Sequence, residues 1–371
     1  MKCEIEFLPV GDASRAGDCI VVRYGEEHDF KLMVIDGGTI DSGENLVKHL
    51  RAHYGHNVVV EHAVLTHADA DHASGMRELF KEVRVNNLWM HVPWLLAKQC
   101  VQLFKSRNWT PEGLEKAVKA EYDILVEILD MAWGSGTTVR YPFQGEQIGP
   151  FTVLSPSIDH YLHLLPQFEK TPEPDQEALE RVGMWINKPI KSVLAKALES
   201  LSALAQKFVD ETWQNERLRE GGVTSASNES SVVLYANLDA TRRILLTGDA
   251  GIRALTWAAD YADVMWMPLQ SFSFVQIPHH GSRSNVSPTI LNRLLGPIQP
   301  QGTVRFSAYV SAPVDDSTHP RKMVLNAFTR RGGSVYPTQG IARVHRGGFA
   351  SRQGYEDAVP FGFSARVEEY D

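Results

Sequence analysis

The stretch Thr66-His67-Ala68-Asp69-Ala70-Asp71-His72 places two imidazoles and two carboxylates within six residues. Ala63-Val64-Leu65 before it has the character of a buried strand, and Gly75 to Phe80 after it that of a helix start. All four side chains therefore crowd one strand-to-helix turn. Carboxylates held that closely repel unless positive charge sits among them. A divalent cation meets the need with the oxygen and imidazole ligands on offer. Helix capping explains one of the two aspartates and leaves the rest of the set unexplained.

Two further strand ends carry comparable groups. Arg243-Ile244-Leu245-Leu246 runs into Thr247-Gly248-Asp249, and Phe272 to Ile277 runs into Pro278-His279-His280-Gly281-Ser282. A carboxylate such as Asp249 can bridge two cations about 3.5–4 Å apart, the usual separation for two-metal hydrolysis. Taken alone, Asp249 is equally a cap for the segment from Gly251 onward, and the His279-His280 pair alone is a structural turn.

The elements that must position these groups come in two strand-rich blocks. Cys3 to Leu8, Cys19 to Val22 and Lys31 to Ile35 form a β-meander that ends in Asp36-Gly37-Gly38, where two glycines permit backbone near a ligand. Asp41 to Tyr54 is an amphipathic helix with Leu46, Val47 and Leu50 inward. Strands follow at 60–65 and at Val83 to Val92. Leu95 to Phe104, Pro111 to Ala132 and Pro174 to Leu218 are mostly helical in pattern, with strand-like interludes at 138–141 and 151–154. Leu194, Leu198, Leu201, Leu204 and Phe208 recur at three or four residues, giving a stripe that packs on its own domain or, less simply, meets a partner protein or closes as a lid. Strands return at Ser231 to Tyr235, 243–246, 272–277 and 306–310. Arg321 to Thr329 is a helix, and Ser334-Val335-Tyr336 a last strand. The expected fold class is α/β (α+β), a single domain over 1–371 with a mostly helical insertion at about 160–220.

The chain has 371 residues, 43% of them hydrophobic, enough for a large core. The net charge of −8 excludes a global basic footprint for nucleic acid. Residues 241–371 hold 14 basic against 10 acidic side chains, so 1–240 carry −12. The C-terminal third thus tolerates a phosphate-bearing ligand better, although an ordinary solvated surface explains the excess as well. Cys3, Cys19 and Cys100 match no zinc-ribbon or redox spacing. With no secretory signal and no apolar run of about 18 residues, the expectation is a cytoplasmic protein with reduced thiols and no membrane partner.

Taken together, these segments resemble the metallo-β-lactamase superfamily, and most closely the hydrolase domain of the competence protein ComEC and its free-standing relatives. The resemblance is carried by Gly17-Asp18, by Ile35-Asp36-Gly37-Gly38, and by His67-Ala68-Asp69-Ala70-Asp71-His72, in which Asp69 stands where most of the superfamily has a second His. Asn228-Glu229-Ser230-Ser231, Leu245-Leu246-Thr247-Gly248-Asp249 and His279-His280-Gly281-Ser282 follow in the expected order. It implies an αββα sandwich with the site along one edge, holding one or two Zn²⁺ or Mn²⁺ ions per chain. It further implies that Asp71 and His72 hold one metal with Asp249 and a histidine of the 279–280 pair. His280 is the favoured ligand, with His279 facing substrate. His67 and Asp69 would hold the second metal, with Asp249 shared. No clear histidine fills the third-ligand position on the His67 side; His91 and His163 are candidates by chain position only, which leaves a mononuclear site open. Thr318 replaces the Gly of a family Gly-His-Pro in Ser317-Thr318-His319-Pro320, and Gln339 replaces the Asp of a family Thr-Asp.

The leading expectation is metal-dependent hydrolysis of a phosphodiester in DNA, RNA or a nucleotide. Asp69 or Asp249 would hold or accept the proton of an activated water, and His279 or His319 would protonate the leaving oxygen. Ser282, Arg283 and Asn228 are the candidate phosphate contacts. The Asp69 substitution makes the site harder and admits Mn²⁺ beside Zn²⁺. An ester, lactone or amide hydrolase is the alternative, because this fold alone does not choose the bond. A third reading is a weak metal site in a component that works through a protein partner docked on the insertion.

Overall fold

The computed structural model of the protein describes residues 1–11, 16–105, 108–186, 207–314, 316, 318–352 and 354–370. In chain order its strands are β1 (Lys2–Phe7), β2 (Ile20–Gly25), β3 (Phe30–Ile35), β4 (Val59–Val64), β5 (Arg84–Trp89), β6 (Thr138–Arg140), β7 (Gln147–Ile148) and β8 (Phe151–Ser155). They continue with β9 (Phe208–Asp210), β10 (Val233–Asn237), β11 (Arg243–Leu246), β12 (Phe274–Gln276), β13 (Phe306–Val310), β14 (Gly333–Pro337), β15 (Arg343–Gly347) and β16 (Arg366–Glu368). One sheet has the order β15-β1-β2-β3-β4-β5-β6 and the other β14-β13-β12-β11-β10-β8-β7.

Side-chain alternation makes these sheets two-faced. In β1 to β3, Ile5, Phe7, Ile20, Val22, Met33 and Ile35 point between the sheets and meet Phe151, Leu234, Leu246, Phe274 and Tyr309 from the second sheet. The alternate residues Val21, Leu32 and Val34 point outward and are covered by Leu46, Val47 and Leu50 of helix Ile40–Tyr54. The second sheet is covered in the same way by helices Ile252–Val264, Pro288–Leu295 and Lys322–Arg330. Two apolar sheet faces back to back, each with an outer helical layer, make the αββα sandwich.

What positions the site is strand direction. β3, β4, β5 and β6 run parallel, and so do β11, β12, β13 and β14. The residues after β3, β4, β11, β12 and β13 therefore emerge on one edge of the sandwich, the place where ligands bind in parallel sheets. Backbone bonds sew the two sheets together at that edge: Val232 N–H donates to the Thr66 carbonyl at 3.0 Å.

Three expectations need correction. Tyr336 is not in the last strand, because β15 returns to pair antiparallel with β1. Its sequence Arg343-Val344-His345-Arg346-Gly347 is charged, as an edge strand can be, and carries no buried-strand signal. Phe208 ends no helical stripe; it lies in β9, which pairs with β16. The rest of that stripe (Leu194, Leu198, Leu201 and Leu204), much of the turn between Gly11 and Gly17, and Ser317 lie outside the described residues. Finally, the glycines after Ile35 make room for protein rather than ligand. A Cβ on Gly37 would stand 2.3 Å from the Met76 amide nitrogen, so Gly37 is where β3 crosses the helix start behind His72.

On the outward face of β1, Glu4 and Glu6 are fully buried. Arg352 Nη2 bonds both, reaching Glu6 at 2.9 Å, and the Tyr54 and Tyr355 hydroxyls donate to Glu6 at 2.9 and 3.1 Å. Arg352→Met strands two buried carboxylates and is expected to lower stability by about 3 kcal/mol or more. The carboxyl pKa values then rise in the folded state, so the loss grows with pH. Urea denaturation at pH 5 and pH 8 measures both effects.

Candidate metal centre

The turn after β4 carries His67 to His72 to the sheet edge. Asp69 occupies the N-cap position of the short helix Ala70–Ala73 but makes no side-chain cap bond. Its Oδ1 instead accepts from the Ser227 hydroxyl at 2.5 Å. Asp249 caps nothing either; the Glu229 carboxylate takes the Ala254 N–H at 2.7 Å at the start of the following helix. The capping explanation is thereby removed for both aspartates.

Four imidazoles surround one carboxylate oxygen. The Nε2 atoms of His67, His72, His279 and His280 lie 3.9, 3.4, 3.7 and 3.7 Å from Asp249 Oδ2. In three of the rings the partner of Nδ1 fixes the tautomer. His72 Nδ1 donates to Asp36 Oδ2 at 2.8 Å, and His280 Nδ1 to the Ser311 carbonyl at 3.1 Å. His279 Nδ1 donates to Asn285 Oδ1 at 2.8 Å, and Asn285 is itself oriented by its bond to the Asp249 carbonyl. His67 Nδ1 lies 3.0 Å from Thr66 Oγ1, whose hydroxyl donates to Asp36 Oδ2 at 2.6 Å. Each ring thus turns Nε2 to the same point. The Nε2 atoms of His67, His72 and His280, with Asp249 Oδ1, are buried and have no hydrogen-bond partner.

Buried lone pairs aimed together at a carboxylate are costly unless a cation joins them. This donor set fits a divalent metal. His67, His72 and Asp249 are within ligand distance of one another, as are Asp71, His72 and His280. Asp69 joins the first group through Oδ2, 3.6 Å from His67 Nε2. Asp18, Asp36 and His72 make a third, fully buried group. Burial, with the charges of Asp249 and Asp36, pushes the Asp18 carboxyl up to about 7, and Gln276 donates to it at 2.7 Å. Burial opposes charge on His72, yet Asp249 and Asp36 hold it well above the ordinary imidazole range. Burial pushes His280 down to about 3.

The other sequence candidates fall in different places. Asn228 donates to Thr224 at 2.7 Å and lies 3.1 Å from His279 Nδ1. Ser282 is buried beside the His pair. His319 stacks on His279 with centroids 6.2 Å apart, and its Nδ1 is 3.2 Å from Asp316 Oδ2. Arg283 turns to the C-terminal segment, donating to the Glu369 carbonyl and lying over the Tyr370 ring. His91 is packed between Phe143 and Tyr161, and His163 bonds the Asp159 carbonyl within its own helix. Neither belongs to a described ligand group. Gln339 has an exposed side chain; it is Thr338 that is buried, bonded to both backbone groups of Ala312. Sequence reasoning passed over Asp18, Asp36 and Asn285. The signal for the first two was present, an acid flanking an apolar strand, before β2 for Asp18 and after β3 for Asp36, and the third has none.

Residues 14–137 match the family model for the metallo-β-lactamase superfamily. No curated protein matches the sequence. Among solved structures it is similar to unliganded yeast PDE1 (12% identity, 92% of this chain and 99% of that one covered, TM-score 0.41). It is also similar to the metallo-β-lactamase fold protein YhfI from Bacillus subtilis (10%, 94% and 100%, 0.38). A third is Zn²⁺-bound PqqB from Methylobacterium extorquens (11%, 92% and 99%, 0.39). Among the described residues no helix is long and apolar enough to cross a membrane, and all three cysteines are free and buried.

Asp36→Asn places an amide N–H where two donors now converge, and is expected to weaken Zn²⁺ or Mn²⁺ affinity by about 10- to 100-fold, read by chelator competition. Because His72 holds a proton that a cation must displace, metal binding releases protons and tightens as pH rises. Titration in weakly buffered solution measures the release.

Proposed function

We propose that this protein is a metal-dependent phosphodiesterase. The observation supporting the reading is the convergence of four Nε2 atoms on Asp249 with an acid–base pair, Asp316–His319, stacked beside them. His67, His72 and Asp249 would hold one cation, with Asp71 and His280 on one side and Asp69 on the other as the further ligands. A divalent cation held there acidifies a water and polarises the oxygens of the phosphate.

The chain's own groups do the rest. Burial opposes its ionisation, but His67 and the Ser227 hydroxyl hold the Asp69 carboxyl down at about 2, so it stays ionised, orients the attacking water and passes its proton to solvent. The new bond joins the water oxygen to phosphorus, and the bond to the leaving oxygen breaks. His319 gives that oxygen a proton. Burial again opposes charge, but the bonds from His319 and Thr318 hold Asp316 well below the usual carboxylate range. An anion fixed at Nδ1 keeps a proton on that nitrogen, so Nε2 is the atom that passes its proton to the leaving oxygen. Asn228 and Ser282 flank the His pair as neutral donors. The finer likeness, to ComEC-type domains, rests on Asp69 within His67-x-Asp69-x-Asp71-His72, and it makes Mn²⁺ as suitable as Zn²⁺.

Purified protein with Mn²⁺ or Zn²⁺ should cleave bis(p-nitrophenyl) phosphate, and Asp71→Ala should lose both metal and activity. His319→Ala should cost about a hundredfold in kcat on a dinucleotide, whose alkoxide needs a proton, and far less on a nitrophenyl ester, whose leaving group does not. Turnover of carboxylic esters or lactones with no phosphodiester cleavage would replace this reading with the ester-hydrolase one.

A further inference from the structure

Two cavities meet at the Asp69–Asp71 turn, and Asp71 lines both. The one on the Asp71 side is about 920 Å³, has Asp41 and Asp71 in its wall, and contains no Lys or Arg in its lining. The one on the Asp69 side is about 630 Å³. Its lining includes Asp69, Asp71 and Glu169, with Ser227, Lys170 and Trp185.

We propose that the Asp69-side cavity is a nucleoside subsite, taking the base and sugar of a phosphodiester whose phosphate lies at Asp69. The inference rests on the phosphodiesterase reading and deepens it by making a nucleotide the substrate class. The volume falls in the range of small-ligand sites, so one nucleoside fits where a duplex does not. Of the aromatic side chains in that lining, Tyr122 and Phe168 are buried and Trp185 is half-buried, so Trp185 offers the π-face on which a base stacks. The Lys170 ammonium stands 5.5 Å from the Tyr122 ring centroid, and among the described residues no carboxylate forms an ion pair with it. Lys170 is the one Lys or Arg in either lining, so the Asp69 side alone offers an anionic substrate a cationic contact beside its own acids.

The Trp185 backbone is held before any ligand arrives. Gln167 Nε2 donates to the Met184 carbonyl and Gln167 Oε1 accepts from Ile186 N–H, at 2.9 and 2.7 Å. Arg253 Nη2 donates to the Trp185 carbonyl at 2.9 Å. A wall fixed on both flanks loses little freedom when a base stacks on it, so more of the stacking energy appears as affinity.

The test compares two esters with one leaving group in the metal-loaded full chain: thymidine 5′-(p-nitrophenyl phosphate) and methyl p-nitrophenyl phosphate. Wild type should prefer the thymidine ester by about tenfold or more in kcat/KM, the scale of one base–aromatic stack. Trp185→Ala should reduce that preference to about twofold, and Trp185→Phe, which keeps a ring, should restore most of it. Lys170→Ala should raise KM on the thymidine ester and leave kcat nearly as it was. A preference that survives Trp185→Ala, or that is absent from wild type, overturns the subsite. Should neither ester be cleaved, it is the phosphodiesterase reading that fails, and calorimetry with thymidine 5′-monophosphate then judges the cavity by itself. Saturable binding weakened about tenfold by Trp185→Ala and restored by Trp185→Phe sustains it; no binding, or binding indifferent to Trp185, overturns it.

Discussion

Asp36 is the carboxylate on which the geometry of the centre depends. It sits at the end of β3 with no exposure to solvent and a backbone φ of 56°, a conformation Asp tolerates better than most residues. Its Oδ1 takes the Thr66 amide at 2.7 Å, and its Oδ2 takes both the Thr66 hydroxyl and His72 Nδ1. One group thereby sets the backbone of the His67–His72 turn, the tautomer of His72 directly and that of His67 through Thr66. A buried anion with three donors is stable where a bare one is not. The same satisfaction makes it rigid, because moving any partner strands the charge.

The rest of the edge follows a related rule. Rings on different strand ends have Nδ1 occupied by a protein acceptor, which leaves Nε2 as the free lone pair. The acceptors are unlike: a carboxylate for His72, a carbonyl for His280 and an amide oxygen for His279. Charge on the acceptor decides how basic each ring is. His72, facing two carboxylates, keeps its proton; His280, facing a carbonyl and buried, gives it up. The centre is therefore half prepared for a cation and half locked by protons that the cation must expel.

How much of this was legible in the sequence depends on whether a residue announces itself locally. His67, Asp69, Asp71 and His72 are neighbours, and apolar runs end at Asp249 and at Pro278, so strand ends and ligand types could be read together. The central strands were legible for the same reason: β3, β4, β11 and β13 are apolar runs with turns behind them. Asn285 was not legible, because its role depends on the loop after β12 folding back to the Asp249 carbonyl. β15 was hidden because an edge strand needs no apolar face, and β9 because three residues carry no period. Arg283 shows the opposite error. Proximity in sequence to the His pair suggested phosphate, while the ring of Tyr370, 87 residues on in the chain, claims the guanidinium face.

Placing the aspartates side by side in one turn has a consequence for what approaches them. An anionic ligand would meet carboxylates on either side of the turn, and a cation held at the centre would offset only part of that charge. Both cavities beside the turn carry further acids, Asp41 on one side and Glu169 on the other, and only the second sets a Lys, Lys170, among them. The wall residues Phe168, Lys170 and Trp185 come from the segment between β8 and β10, outside the strands that build the ligand set. The sheets thus position the candidate ligands, and Phe168, Lys170 and Trp185 stand in the lining of the cavity beside them. Substitutions on Trp185 and Lys170 can retune substrate choice without disturbing Asp36, Asp249 or the four imidazoles.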